Sequence, residues 1–163
     1  YHNYDPYKLV EYGTTLTDAN QVWCVFDIDN TMEEGSLIPA INLSNNSNIQ
    51  IAFSNMAFEV WLLSHYNKIE RTMDNDKLVL EMNKLLKREL KLSKKYDKSD
   101  RELLKKHFIP VYKTAIDNSK IIHQKYIAEY EKKYNGNKNY RIWEWNSCSN
   151  VYKLIEALQL TKI

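Results

Sequence analysis

The stretch Ile49-Gln50-Ile51-Ala52-Phe53-Ser54-Asn55-Met56-Ala57-Phe58-Glu59-Val60-Trp61-Leu62-Leu63-Ser64 changes its hydrophobic period halfway along. Ile49, Ile51 and Phe53 alternate with Gln50 and Ala52, the two-residue period of a half-buried strand. From Phe53 the period lengthens: Phe53, Met56, Ala57, Val60, Trp61 and Ser64 fall at i, i+3, i+4, i+7, i+8 and i+11, one face of a helix. Extended structure is therefore expected before this point and helices after it.

Downstream the helical signals continue. Asp74-Asn75-Asp76 marks a break where Asp74 or Asn75 caps the next helix. That helix has a stripe of Val79, Met82, Leu86 and Leu90. Ser99-Asp100-Arg101-Glu102 has capping-box spacing and opens a third helix, which Pro110 must kink or break. A restart near Asp117-Asn118-Ser119 leads into Ile122, Tyr126, Ile127, Tyr130 and Tyr134, ended by Asn135-Gly136. Tyr140–Trp145 reads as a strand or extended anchor, and Val151, Leu154, Ile155 and Leu158 as a short final helix. Upstream, Val22–Ile28 and Leu37–Leu43 join Ile49–Phe53 as apolar pieces separated by turn-like segments. Tyr1–Asn20 reads as extended chain or a short helix. The fold expected is mainly α: an antiparallel helical bundle behind an N-terminal extended or small β-meander region. One domain covers residues 1–163, with an acidic region (residues 1–52) packed on a helical one (residues 53–163).

The chain has 163 residues, 44% apolar and 12% aromatic, enough for one core. No run of 18 apolar residues exists, so no membrane span is expected. Only three glycines occur, Gly13, Gly35 and Gly136, which excludes Gly-rich phosphate loops and dinucleotide fingerprints. No His or Cys cluster has metal-ligand spacing, and no cofactor is expected. The net charge of +2 hides an asymmetry: residues 1–60 hold one basic and eight acidic residues, the remainder 22 basic and 13 acidic. The stretch Lys84–Lys106 has ten basic and four acidic residues but a single aromatic, Tyr96. Without interleaved aromatics, nucleic-acid binding is not indicated. The 19 Lys and 17 Asn also reflect A/T-rich codons, which dilutes arguments from their number.

Two cysteines, Cys24 and Cys148, stand near opposite ends. A disulfide between them would close a loop of more than 100 residues and stabilise by roughly 4–5 kcal/mol in the chain-entropy treatment. Two buried free thiols are the other reading. Asn42-Leu43-Ser44 and Asn45-Asn46-Ser47 are glycosylation sequons in a polar stretch suited to an exposed loop. Together these features point to a secreted or exported glycoprotein. Tyr130, Tyr134, Trp143 and Trp145, with the cations Lys84, Lys87, Arg88 and Lys91, are the candidate recognition surface for a protein partner.

One string carries catalytic chemistry. Val22-Trp23-Cys24-Val25-Phe26-Asp27-Ile28-Asp29-Asn30-Thr31 resembles the first motif of haloacid-dehalogenase-type phosphatases, a hydrophobic strand followed by Asp-x-Asp-x-Thr. The resemblance covers about ten residues. It implies Asp27 as nucleophile, Asp29 as general acid/base, a role for Thr31, and Mg²⁺ bridging carboxylate and phosphate. Its second motif, a strand ending in Ser or Thr, falls at Ile49–Ser54 or Ile142–Ser147. The family's downstream Lys and acidic pair have no assigned positions in this chain. The expectation carried forward is a non-enzymatic, host-directed interaction protein that binds a protein partner through its helical surface. A Mg²⁺-dependent phosphatase is the alternative, and a carrier of a small apolar ligand a second one.

Overall fold

A computed structural model describes residues 5–29 and 35–160. Helix α1 (Pro6–Thr14) begins where Asp5 accepts the Lys8 N–H at 2.9 Å and Pro6 takes the first turn. Strand β1 (Val22–Asp27) follows, rich in β-branched and aromatic residues as expected. Helix α2 (Leu37–Asn45) leads to β2 (Ile49–Asn55), then α3 (Glu59–Ser64) and α4 (Asn75–Arg88). The short α5 (Arg101–Leu103) runs into a π-helical turn (Leu104–Phe108) and a 3₁₀ turn (Ile109–Val111). Helix α6 (Tyr112–Lys133), a 3₁₀ turn (Ile142–Glu144), β3 (Cys148–Ser149) and α7 (Val151–Leu160) complete the chain.

The sheet corrects the expected architecture. β1 and β2 are parallel, with Val22 opposite Ile49 and Asp27 opposite Ser54. β3 joins β2 antiparallel at Ser54–Ser149 and Asn55–Cys148. The molecule is therefore a mostly helical α/β protein around a three-stranded mixed sheet, and the antiparallel bundle with a meander is not its form. The piece misread as a strand is Leu37–Leu43. In α2 its buried residues are Leu37, Ala40 and Ser44, at helical spacing. Pro39 is tolerated because it lies in the first turn, where backbone N–H groups have no intrahelical acceptor. A helix there makes the β1–β2 connection a crossover, and a crossover makes the strands parallel.

Alternation divides the sheet into two faces. Val22, Cys24 and Phe26 share one with Ile49, Ile51 and Phe53; Trp23, Val25 and Asp27 share the other with Ala52 and Ser54. On the first face Val10, Cys24, Ala40 and Ile49 form one buried cluster between α1, α2 and the strands. Gly13 allows that close approach, since a Cβ there would stand 3.1 Å from Ile49 Cδ1. A second cluster on this face joins Phe53 to Leu37, Tyr130, Trp145 and Cys148. The other face carries the largest core, built from α3, α4, α6 and α7 around Trp61, Leu63, Met82, Leu86, Phe108 and Val151. Helix α6, about 33 Å long at 1.5 Å per residue, feeds Ala115 and Ile116 into this core and Tyr130 into the aromatic cluster.

Several local expectations hold and others shift. Asp74 caps α4 through the Lys77 N–H, but the buried stripe is Leu78, Met82, Leu85 and Leu86, and Val79 is exposed. Asp100, not Ser99, caps the third helical run. Pro110 breaks that run, and α6 restarts at once rather than at Asp117. Phe53–Asn55 stay in β2, so α3 begins later than its stripe suggests. Gly136 ends the α6 region with φ +79°.

Candidate active site

Asp27 closes β1 at the carboxyl end of the parallel pair, the place where open α/β sheets hold ligands. The ladder runs on past the strand: the Ile28 N–H donates to Ser54 O at 2.9 Å and the Asp29 N–H to Met56 O at 3.0 Å. This tie fixes Asp29 with φ +30°, a left-handed geometry that Asp tolerates better than most residues. The Asp29 carboxylate accepts Asn75 Nδ2 at 3.1 Å from the start of α4.

The Asp27 side chain lies on the face of the sheet that α3 covers. The Phe58 N–H donates to it, and Glu59, the first residue of α3, lies close enough to repel it. Burial first, and then the Glu59 charge, push the Asp27 carboxyl up to about 6, with Lys98 pulling the other way. Glu59 is 2% exposed. Its Oε1 accepts the Tyr96 hydroxyl at 3.0 Å and Lys98 Nζ at 3.1 Å, while its Oε2 is buried and has no hydrogen-bond partner. A buried carboxylate oxygen without a donor is costly. Burial and then Glu59 raise the Tyr96 phenol well above its ordinary range, so Tyr96 stays a proton donor to Glu59. Tyr96 is held in turn by its backbone N–H, which donates to Asn83 Oδ1 at 2.8 Å. Ser54 stands opposite Asp27 in register, but its hydroxyl is paired with Ser149 at 3.0 Å.

The orphaned Oε2 is the kind of donor atom that a cation would satisfy. Among the described residues no three His, Cys, Asp or Glu side chains converge on one point, so the chain does not preform a closed cage. Two carboxylates of the Asp27–Glu59 kind suit Mg²⁺, which keeps several waters and takes one or two carboxylates together with substrate phosphate.

Asp27 and Asp29 are thus brought to one site, with Ile49–Ser54 as the neighbouring strand; Thr31 lies outside the described residues. Glu59, Tyr96 and Lys98 escaped sequence reasoning. The one available signal was Glu59 itself, a lone acid inside the apolar run 57–63. The remaining candidates scatter. Cys24 and Cys148 are free and buried in separate clusters, so the expected bridge is not formed. Asn42 and Asn45 are exposed, but on α2 rather than in a loop. Tyr130 and Trp145 are core residues; Tyr134 and Trp143 are half-buried beside them. This removes half of the aromatic surface expected from the sequence. Lys84 is tied to Glu81 at 2.7 Å, and Lys87, Arg88 and Lys91 are exposed at and beyond the end of α4. His65 and His123 are buried in the core. No helix among the described residues is long and apolar enough to cross a membrane.

No curated protein and no solved structure matches the chain. A family match covers it almost end to end: the family described as RloB-like protein aligns with residues 1–158. On that extent of agreement, the protein whose β1 ends in Asp27 and whose β2 leads to the buried Glu59 belongs to the RloB-like family.

Proposed function

We propose that this protein hydrolyses a phosphoester with the help of a divalent cation at Asp27 and Glu59. The observation behind this reading is the half-satisfied Glu59 carboxylate, buried beside Asp27 at the carboxyl end of parallel strands. Most buried polar atoms have a hydrogen-bond partner, and a charged one left without a partner is the costliest kind of exception. A bound cation would offset the two negative charges and polarise a phosphoryl oxygen. The chain does the rest. Tyr96 and Lys98 hold Glu59 in one orientation through Oε1 and leave Oε2 for the cation. Lys98, exposed over most of its length, presents positive charge to an incoming phosphate. Asn75 orients Asp29 for acid–base work.

The test is release of nitrophenolate from p-nitrophenyl phosphate and bis(p-nitrophenyl) phosphate, with Mg²⁺ or Mn²⁺ and with EDTA. Turnover should require the cation and fall by about 100-fold or more in Asp27→Asn, the range expected for a group acting on the reacting centre. Hydrolysis of neither ester by folded protein with either cation overturns the proposal.

A further inference from the structure

The face of the sheet away from Asp27 holds an open groove of about 650 Å³. It lies along β2, between α2, the 138–145 segment and α7. That volume is within the range of small-molecule sites. Its floor is aromatic: Phe53, His123 and Trp145 are all buried, and Trp143 forms a half-buried wall. His123 is a neutral floor group. Burial, and then the charge of Lys153, hold it down to about 4, and its Nδ1 pairs with the Tyr152 hydroxyl at 2.9 Å. The groove has two cations, Lys138 and Lys153, and no Asp or Glu among its lining residues. Neither lysine makes an ion pair among the described residues; Glu156, the carboxylate whose charge reaches Lys153, is held by Lys120 at 3.2 Å. In a chain with 21 acidic residues, an aromatic trough with two unpaired cations is a charge-selective feature.

We infer that this groove binds a small organic anion with a flat apolar body. The ring or chain lies against Phe53, Trp145 and Trp143, and the carboxylate, sulfonate or phosphate meets Lys153 with Lys138 beside it. Ion pairing at the edge of an apolar surface is stronger than in open water because the partner ammonium is already partly desolvated. Lys153, although exposed as a residue, meets that condition: desolvation lowers its pKa and outweighs the opposing pull of Cys148 and Glu156.

The probe is 8-anilinonaphthalene-1-sulfonate, titrated while its own emission and the quenching of tryptophan are followed. One molecule per chain should bind. Lys153→Met should weaken it at least tenfold, Lys153→Arg should retain it, and N-phenyl-1-naphthylamine, which lacks the sulfonate, should bind less tightly and be indifferent to Lys153→Met. Circular dichroism and melting temperature verify that each variant is folded. Cation-dependent ester hydrolysis should be unchanged in Lys153→Met, since the groove and the carboxylates lie on opposite faces. Equal binding of the sulfonate to wild type and Lys153→Met overturns the inference, and so does equal affinity for the neutral probe.

Discussion

Asp27 sits where burial and the neighbouring Glu59 both oppose its charge, so it costs the fold stability at neutral pH. Its carboxyl titrates at about 6 in the folded protein against an ordinary value of 3.8. The folded state therefore holds an extra proton between these values. Stability is full below about 4, falls as pH rises toward 6, and stays at the lower level above it. Asparagine mimics the protonated form. Asp27→Asn should raise the unfolding free energy by about 1–2 kcal/mol at pH 8 and change little at pH 4, a magnitude reduced from the full linkage value because the group is not fully buried. Urea unfolding at the two pH values measures this. A variant less stable than wild type at pH 8 contradicts the placement of Asp27 against Glu59.

At the scale of elements, the short β3 leaves most of the outer edge of β2 without a strand, and one side chain replaces it. Asn150 Oδ1 accepts the Phe53 N–H at 2.6 Å, its Nδ2 donates to Ile51 O at 3.0 Å, and its own N–H donates to Phe53 O at 3.1 Å. The amide imitates a peptide group of the missing neighbour and ends the sheet where the groove begins. Asn150→Ala strands a buried N–H and a buried C=O, each costing about 1–3 kcal/mol. A net loss of about 2–4 kcal/mol is expected in chemical denaturation, with Asn150→Asp recovering the Phe53 bond alone. A loss below about 1 kcal/mol in Asn150→Ala would show that water serves these groups equally well. The same logic of side chains in place of backbone recurs at Asn146, which exchanges two bonds with Met73, and at Asn55, which holds Ile142 and Trp143.

Over the whole molecule, the ends are joined by packing rather than by sulfur. Cys24 lies in the cluster under α1 and α2, Cys148 beside Trp145 and Tyr130, and burial raises the pKa of both thiols. Native protein should react with Ellman's reagent only slowly. Denatured protein should yield two thiols per chain with no reductant present. Finding none in denaturant would restore the disulfide.

Much of this protein was legible in its sequence by itself. Residues 22–26 and 49–53 as strands, Asp74 as a cap, the break at Pro110, the stop at Gly136 and the last helix all rest on local chemistry: side-chain period, backbone donors and allowed φ. Local rules failed where the decision was not local. Leu37–Leu43 is equally apolar as strand or helix, and only its packing against α1 and β2 makes it the crossover that turns a meander into a parallel pair. Glu59 and Lys98 stand 39 residues apart, and nothing in either neighbourhood says that they meet, or that Asp27 lies with them. The tertiary structure decided those meetings, because the cost of burying a charge depends on which groups surround it in space, and sequence spacing does not record that.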